Sequence, residues 1–593
     1  MNMRNVKTMP CFLVFIALGL SILSASAWDF FPLLKTASLM SHDHSLTDAY
    51  SQLLRKSQWF LGIIAVLLSP LAFLVENESK RNFFNKQLSD QSFIFIVAFC
   101  GVVFTTLIQL IWFENIPHIT DASSHLFQAK IFCLGRMTAL LPPCHECFFQ
   151  HNVVMSRLGI WHTKYFPGQA LWLALGENIH QTWLMGPLSN GIITGALFLV
   201  IRRVYGSSYA RWSALLLISS PIFLLLGSSF MSHSTFLMFA LLGTLLLFKS
   251  LSSNYTFLWL PAGFCWSMAI LTRPQDAITA LAVIFVLGCF QFRLIIPHFG
   301  RKLVFLIIGM SPPIAFLLFW NHAVYGQVIA SGYFFDANPS LTPIIKDSLG
   351  FSEEFPATQA VINMTWILLR FNKALFGWPA SFVFIPLAFA TAKHRRHSSW
   401  LMASALILVI PYFFFSYYGF EYEARYLLPI IPACILTTVF GISNFYAFLS
   451  RRIGQKQAKQ MVIMALLLMV LHGLFFYWPC YLAPTYGNHY EETSQALYTE
   501  GKELTSGKSL VLVHGESSSA FNYTSGFNYN DPLLEGGTIY ARDLPLQYEC
   551  LKSAFPDRRF YLATPIDSNS TWHIQSLDYL QQNEVTDSTI KDN

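Results

Sequence analysis

Residues 93–133 read FIFIVAFCGVVFTTLIQLIWFENIPHITDASSHLFQAKIFC. The first half, 93–113, is an uncharged apolar run. It is long enough to cross a bilayer as one helix, which takes roughly 20 residues. A few residues later comes Asp121, at the start of a second helical pattern. Asp121, His125, Gln128 and Phe132 recur at about one helical turn and so share a face. The spacing predicts a helix lying on the membrane surface with its polar edge toward a cavity. An acid this close to a span is held near the plane of the lipid headgroups. From position alone it has two equal readings. Asp is a preferred N-cap residue, and a carboxylate at that depth is also placed to deprotonate an acceptor while a lipid phosphate leaves.

The rest of the chain has the same character. Of its 593 residues 54% are hydrophobic and only 12% are charged. An ordinary soluble domain carries about 25% charged residues, so this chain cannot coat a soluble surface of its size. The 55 Phe and 15 Trp suit a lipid-facing bundle anchored at its interfaces. The net charge of +6 reads as loop charge that sets orientation, with no nucleic-acid partner implied. Candidate spans are 11–27, 58–75, 93–113, 184–201, 212–230, 235–249, 257–271, 277–291, 303–320, 380–392, 400–418, 427–447 and 461–479, about 13 in all. Arg4 and Lys7 precede the apolar run Cys11 to Leu23, which ends Ala25-Ser26-Ala27. Residues 1–27 are therefore either a signal anchor or a first transmembrane helix.

Basic clusters test the topology. Lys80/Arg81/Lys86, Arg202/Arg203/Arg211, Arg293/Arg301/Lys302, Lys393/Arg395/Arg396 and Arg451/Arg452/Lys456/Lys459 all fall on one side when spans alternate, the side read as cytoplasmic. Arg55 and Lys56 are the exception. The same parity exports loops 114–183 and 321–379 of the 28–479 transmembrane region, and the tail 480–593. In the tail, Ser509 to His514, Thr538 to Arg542 and Arg559 to Ala563 read as strands, with a helix around Gln547 to Ala554. That pattern predicts a small α/β domain.

The first exported loop continues to NVVMSRLGIWHTKYFPGQALWLALG, with a turn at Tyr165-Phe166-Pro167-Gly168 and a new apolar helix after it. An acid, then Leu126-Phe127-Gln128-Ala129, Ile131-Phe132, Gly135 and Tyr165/Pro167-Gly168 follow in order. This segment resembles the first exported loop of the GT-C glycosyltransferase superfamily. Within it, the segment resembles the bacterial proteins related to protein O-mannosyltransferases and aminoarabinose transferases. Thr272-Arg273-Pro274 and Glu423-Ala424-Arg425-Tyr426, at two helix ends, are similar to further elements of that family. So are Asn530-Asp531-Pro532, Tyr540-Ala541-Arg542-Asp543 and Phe555-Pro556-Asp557-Arg558 in the tail. The sequence departs at Ala122, where many relatives carry Glu.

The resemblance implies an all-α polytopic membrane bundle of GT-C type with a small α/β tail on the exported face. It implies transfer of a sugar from a polyprenyl phosphate to a glycan, lipid or protein acceptor in the cell envelope, with Asp121 as catalytic base. Arg273 and Arg425 would hold the donor phosphate, because a guanidinium can fork onto phosphate oxygens. The competing reading is that they snorkel to headgroups. His125, Gln128 and Tyr165 would line the substrate pocket. The expected place is a bacterial inner membrane with the site facing the periplasm. The resemblance singles out no cofactor, and a divalent metal stays open because the second acid is missing.

Other signals read more plainly. Cys144-His145-Glu146-Cys147 has C-x-x-C spacing, but zinc needs two more ligands; a disulfide or two unrelated thiols fits better. His233 and His472 read as histidines satisfied inside the bundle, and Glu421 and Glu423 as acids that neutralise Arg425. Sequons at Asn522 and Asn569 bear only on a eukaryotic secretory setting. No P-loop or dinucleotide fingerprint occurs, which favours a lipid-linked donor over a nucleotide-linked one. Two rivals remain in view. An O-antigen polymerase or ligase would carry its key loop late in the chain. A flippase or transporter would need charges at mid-membrane, and the spans are nearly free of them.

Overall fold

The computed structural model describes residues 56–57, 59–64, 88–156, 158–253, 255–290, 298–332, 356–378, 380–415, 421–487, 493–504, 507–515, 522–566 and 571–577. The span read at 11–27, most of 58–75, the Lys80/Arg81/Lys86 cluster, Arg55, Arg293 and the middle of loop 321–379 lie outside the described residues.

Fourteen helices of the bundle and its loops are labelled in chain order. They are α1 (Asp90–Trp112), α2 (Thr120–Cys133), α3 (Gly168–Glu177), α4 (Met185–Tyr205), α5 (Ser207–Ile218), α6 (Pro221–Gly227), α7 (Ser232–Ser253), α8 (Trp259–Thr272), α9 (Pro274–Phe290), α10 (Phe299–Tyr325), α11 (Ala357–Phe376), α12 (Ala392–Phe413), α13 (Ile431–Ile453) and α14 (Gln455–His472). Six helices among the described residues are long and apolar enough to cross a membrane. The pair α5 and α6, bent by 63°, makes a seventh if it counts as one span. The chain is a multi-pass membrane protein.

One end of the bundle is fastened by polar pairs. Asp90, in the first turn of α1, bridges Arg202 and Arg211 at 2.8 Å each and accepts from Ser207 at 2.6 Å. Tyr209 meets His394 at 2.9 Å, and His394 meets Asn444 at 2.8 Å. These contacts gather the start of α1, the α4–α5 turn, the start of α12 and the last third of α13. Three basic clusters read from the sequence sit on these segments.

The span read at 380–392 is not an α-helix. It is two short 3₁₀ turns, Ser381–Phe384 and Pro386–Phe389, laid along α13. Pro386 has no N–H to give an α-helix. The freed backbone is satisfied by the neighbour instead: Asn444 donates to the carbonyls of Leu387 and Ala388 at 2.8 and 3.3 Å. Gly441 permits the close approach, since a Cβ there would fall 1.8 Å from the Phe384 carbonyl oxygen. Irregular backbone at membrane depth survives only where protein covers it in this way. Conversely α11, within the loop read as 321–379, is a regular helix of 20 residues.

The loop after α1 contains a small antiparallel sheet, β1 (Ala139–Leu140), β2 (Val153–Ser156) and β3 (Ile160–Thr163), in the order β1-β3-β2. The tail contains a four-stranded sheet of β4 (Ser509–Val513), β5 (Thr538–Arg542), β6 (Arg559–Pro565) and β7 (Trp572–Ser576). Its order is β5-β4-β6-β7, with β4 parallel to β5 and β6, and β7 antiparallel.

Loop and tail, kept apart in the sequence reading, share one hydrophobic core. Phe127, Ile131, Phe148, Met155 and Trp161 from the loop pack with Leu510, Leu512, Phe527 and Tyr540 from the tail. Lys130 donates to the carbonyls of Asn528 and Asn530 at 2.6 and 3.0 Å. Glu114 accepts from the Gln495 backbone at 2.6 Å. A disulfide joins Cys144 to Cys550. The C-x-x-C pair is thus divided: Cys144 reaches across to the tail and Cys147 is a buried free thiol.

Candidate active site

The loop-bearing end of the bundle gathers an acidic and basic cluster, and its geometry begins with α2. That helix is not the surface helix expected. Nearly all its faces are buried, because Phe127 and Ile131 enter the shared core while Phe132 packs on Phe316 and Trp320 of α10. The N-cap of α2 is Ile119, with no side-chain cap. Asp121 therefore does not cap the helix, and its carboxylate is available to point elsewhere.

It points at Arg425. Asp121 Oδ2 lies 3.4 Å from Arg425 Nη2, and Glu421 Oε2 lies 3.4 Å from the same nitrogen. Asn152 Nδ2 donates to Asp121 Oδ1 at 2.7 Å and to Thr120 at 2.9 Å, and the Tyr165 hydroxyl hydrogen-bonds the carboxylate. The local fold delivers Asn152. Ser124 Oγ donates to the Asn152 carbonyl at 2.6 Å, and the Thr163 backbone donates to Gln128 Oε1 at 3.1 Å. Gln128 also donates to the Met137 carbonyl at 3.0 Å. Both ends of the Gln128 amide thus brace the loop, so the structure gives Gln128 a fastening place and not a place in the cluster.

Burial by itself would raise the Asp121 pKa. The charges of Arg425 and Lys164 and the Tyr165 hydrogen bond outweigh it and hold the carboxyl below its ordinary value. His125, one turn on, is pushed down to about 4, chiefly by burial. Its ring lies 4.8 Å from that of Tyr165. It is a neutral imidazole at ordinary pH, able to donate or accept but not to carry charge.

Arg273 is placed by the joint between α8 and α9. Arg273 ends α8 and Pro274 begins α9, where its missing N–H is harmless. Gly168 sets the position of this joint: a Cβ there would lie 2.6 Å from the Leu271 carbonyl carbon and the Thr272 nitrogen. The Tyr-Phe-Pro-Gly turn can approach the Thr-Arg-Pro turn only without a side chain at 168. Arg273 is ion-paired to Asp276 and donates to the Tyr412 hydroxyl at 3.0 Å, and that hydroxyl donates to Asp276 at 2.5 Å. Tyr426 stands between the arginines, its ring 5.8 Å from the Arg273 guanidinium and 5.2 Å from that of Arg425.

Asp121, His125, Tyr165, Arg273 and Arg425 thus meet in one cluster. Sequence reasoning missed Asn152, Asp276 and Tyr412, and quoted Tyr426 within the Arg425 motif without giving it a role. Glu423 departs from its reading too. Fully buried, it pairs at 3.4 Å with Lys373 of α11 and not with Arg425. His233 also differs: neither ring nitrogen has a hydrogen-bond partner among the described residues. Among those residues no group of three or more His, Cys, Asp or Glu is arranged to hold a metal ion.

Residues 168–316 match a family model described as dolichyl-phosphate-mannose-protein mannosyltransferase. The match begins at Gly168 and so falls almost wholly outside the motif-bearing loop. Three solved structures are similar in part. ArnT from Cupriavidus metallidurans in the apo state has 11% identity and a TM-score of 0.48, covering 79% of this chain and 93% of that one. The Archaeoglobus fulgidus oligosaccharyltransferase with zinc and sulfate has 10% identity and a TM-score of 0.43, covering 80% and 68%. The archaeal oligosaccharyltransferase AglB from the same organism, with an inhibitory peptide and a dolichol-phosphate, has 11% identity and a TM-score of 0.39, covering 80% and 69%. No curated protein matches the chain.

Proposed function

We propose that the protein is a glycosyltransferase that moves a sugar from a polyprenyl phosphate to an acceptor on the exported face of the membrane. The observation that carries this reading is the Asp121–Arg425 pair, 3.4 Å apart, with Arg273 on the other side of Tyr426. A base and two phosphate-binding groups are what such a transfer requires. The acceptor N–H or O–H gives its proton to Asp121 as its heteroatom bonds the anomeric carbon. The bond from that carbon to the phosphate oxygen breaks, and the electron pair leaves with the polyprenyl phosphate. Arg425 and Arg273 offset the charge that develops there. An arriving phosphate competes with Asp121 for Arg425 and so frees the carboxylate to act as base. Lys164 and Tyr165 keep that carboxylate ionised beforehand.

The basic end of the bundle supports the cytoplasmic assignment of that end, and hence an exported site. The place is a multi-pass protein of a bacterial inner membrane, with site and tail in the periplasm. The test is to incubate purified protein with labelled polyprenyl-phosphate sugars and membrane extract, then identify the labelled product by mass. Transfer that is lost in Asp121→Asn supports the proposal. Absence of any transfer across a panel of hexosyl and pentosyl donors would remove it.

A further inference from the structure

Around Tyr426 lies a second set of polar groups to which the mechanism gives no role. His233 is 1% exposed and Ser234 is 2% exposed. Both nitrogens of His233 and the hydroxyl of Ser234 are without hydrogen-bond partners among the described residues. A buried polar group in that condition is rare enough to need a reason. Both residues stand in the first turn of α7, a helix of 22 residues. The N–H groups of a first turn have no intrahelical acceptor, and they form the positive end of the helix dipole.

The position of this turn is fixed from two sides. Arg273 Nη1 reaches the Ser232 hydroxyl at 3.4 Å, and the His233 ring lies 5.9 Å from the Tyr426 ring. The chain enters α7 through Phe230, whose φ is +59°. For a bulky side chain this is an outlier that its surroundings must hold in place. Gln169, one residue beyond Gly168, does so by donating to the Phe230 carbonyl at 2.8 Å. The loop turn that positions Arg273 therefore also positions the start of α7.

We propose that the first turn of α7, with His233 and Ser234, is a phosphate subsite that completes the cradle begun by Arg273 and Arg425. The proposal rests on the transferase reading above and extends it to residues which that reading leaves idle. A helix start receives an anion through backbone N–H groups. An imidazole N–H and a hydroxyl add donors without a fixed positive charge. That suits a site where three cations, Arg273, Arg425 and Lys164, already face three carboxylates, Asp121, Glu421 and Asp276. The ligand chemistry is a phosphate ester at headgroup depth, and its source is either the lipid donor or free phosphate.

The experiment measures binding of a polyprenyl phosphate, and separately of inorganic phosphate, to the purified full chain in detergent. Wild type is compared with Ser234→Ala and His233→Phe, with melting of the unliganded protein as control. The expected result is a loss of about 10- to 100-fold in polyprenyl phosphate affinity in each variant, the usual size for a hydrogen bond to a charged group. If His233→Phe does not fold, Ser234→Ala decides. Unchanged affinity in the folded variants overturns the subsite and leaves the transferase reading standing. If the variants weaken only inorganic phosphate, the subsite stands and the lipid donor falls. If wild type binds neither probe, both proposals fall together.

Discussion

The Asp121 carboxylate and the Arg425 guanidinium, more than 300 positions apart in the chain, lie 3.4 Å from each other. Asp121→Asn keeps the acceptor for Asn152 and removes the charge. Transfer should fall by about 10²- to 10⁴-fold, the usual share of a general base, while the protein still folds and melts somewhat lower in detergent because the paired charge is gone. Full activity in a folded Asp121→Asn protein takes this residue out of the chemistry.

Arg425→Lys preserves the charge and loses the planar fork. The expected effect is a rise in KM for the lipid donor and a fall in kcat/KM of about tenfold or more. Steady-state kinetics against donor concentration decide it. An equal effect on acceptor KM alone points to a different ligand for this arginine.

Gly168→Ala drives a Cβ into the backbone of Leu271 and Thr272. Overpacking of this kind destabilises by about 1–3 kcal/mol, and here it also displaces Arg273. Lower melting together with reduced donor affinity is the expected pair of readouts. Wild-type values for both would mean that the two turns part at no loss.

Burial pushes His125 and His162 down to about 4 and lowers His151. The unfolded chain takes up protons at these residues near pH 6.5, before the folded chain does. The stability they contribute is therefore complete above about pH 6.5 and drains away as pH falls from there toward 4. Asp121, whose folded pKa is lowered, acts in a different window: its contribution is complete well above its unfolded value of 3.8 and drains away as pH falls from there through its lower folded value. Melting curves in detergent from neutral pH down to about 4.5 should move steadily lower. A flat melting temperature over that range contradicts the burial of these imidazoles.

Cys550→Ser opens the Cys144–Cys550 bridge. Removing a cross-link across so long a loop typically costs about 2–4 kcal/mol. In native protein both thiols should resist alkylation until a reductant is added, as read by peptide mass. Alkylation of Cys144 without reduction would refute the pairing.

Part of this was legible in the sequence, for physical reasons. Long apolar runs such as 93–113 report their environment directly, and a lone acid just past such a run stands out. The run at 538–542 forms a strand because β-branched and aromatic residues favour extended backbone, and its three central residues are all buried in a small core. What the sequence did not disclose depends on partners distant in the chain. Residues 380–392 are apolar enough for a span, but Pro386 and the shelter offered by Gly441 and Asn444 make them 3₁₀ turns. Asn152 enters the cluster only because Ser124 and Gln128 pin a hairpin whose Val-Val-Met-Ser and Ile-Trp-His-Thr strands went unread. The pairing of Glu423 with Lys373 was hidden because Arg425, two residues away, was the nearer cation in sequence.

The core shared by the first loop and the tail has a consequence for biosynthesis. Trp161 leaves the ribosome about 350 residues before Leu510. At translation rates of about 5–20 residues per second, the loop must wait on the order of 20–70 s for the other half of its interior. During that interval Phe127 and Trp161 have each other and the loop to pack against but not Phe527, and Phe148 lacks Phe555. Until residues 510–540 are made, the loop that carries Asp121 lacks half of its core, so a stretch synthesised late completes one synthesised early.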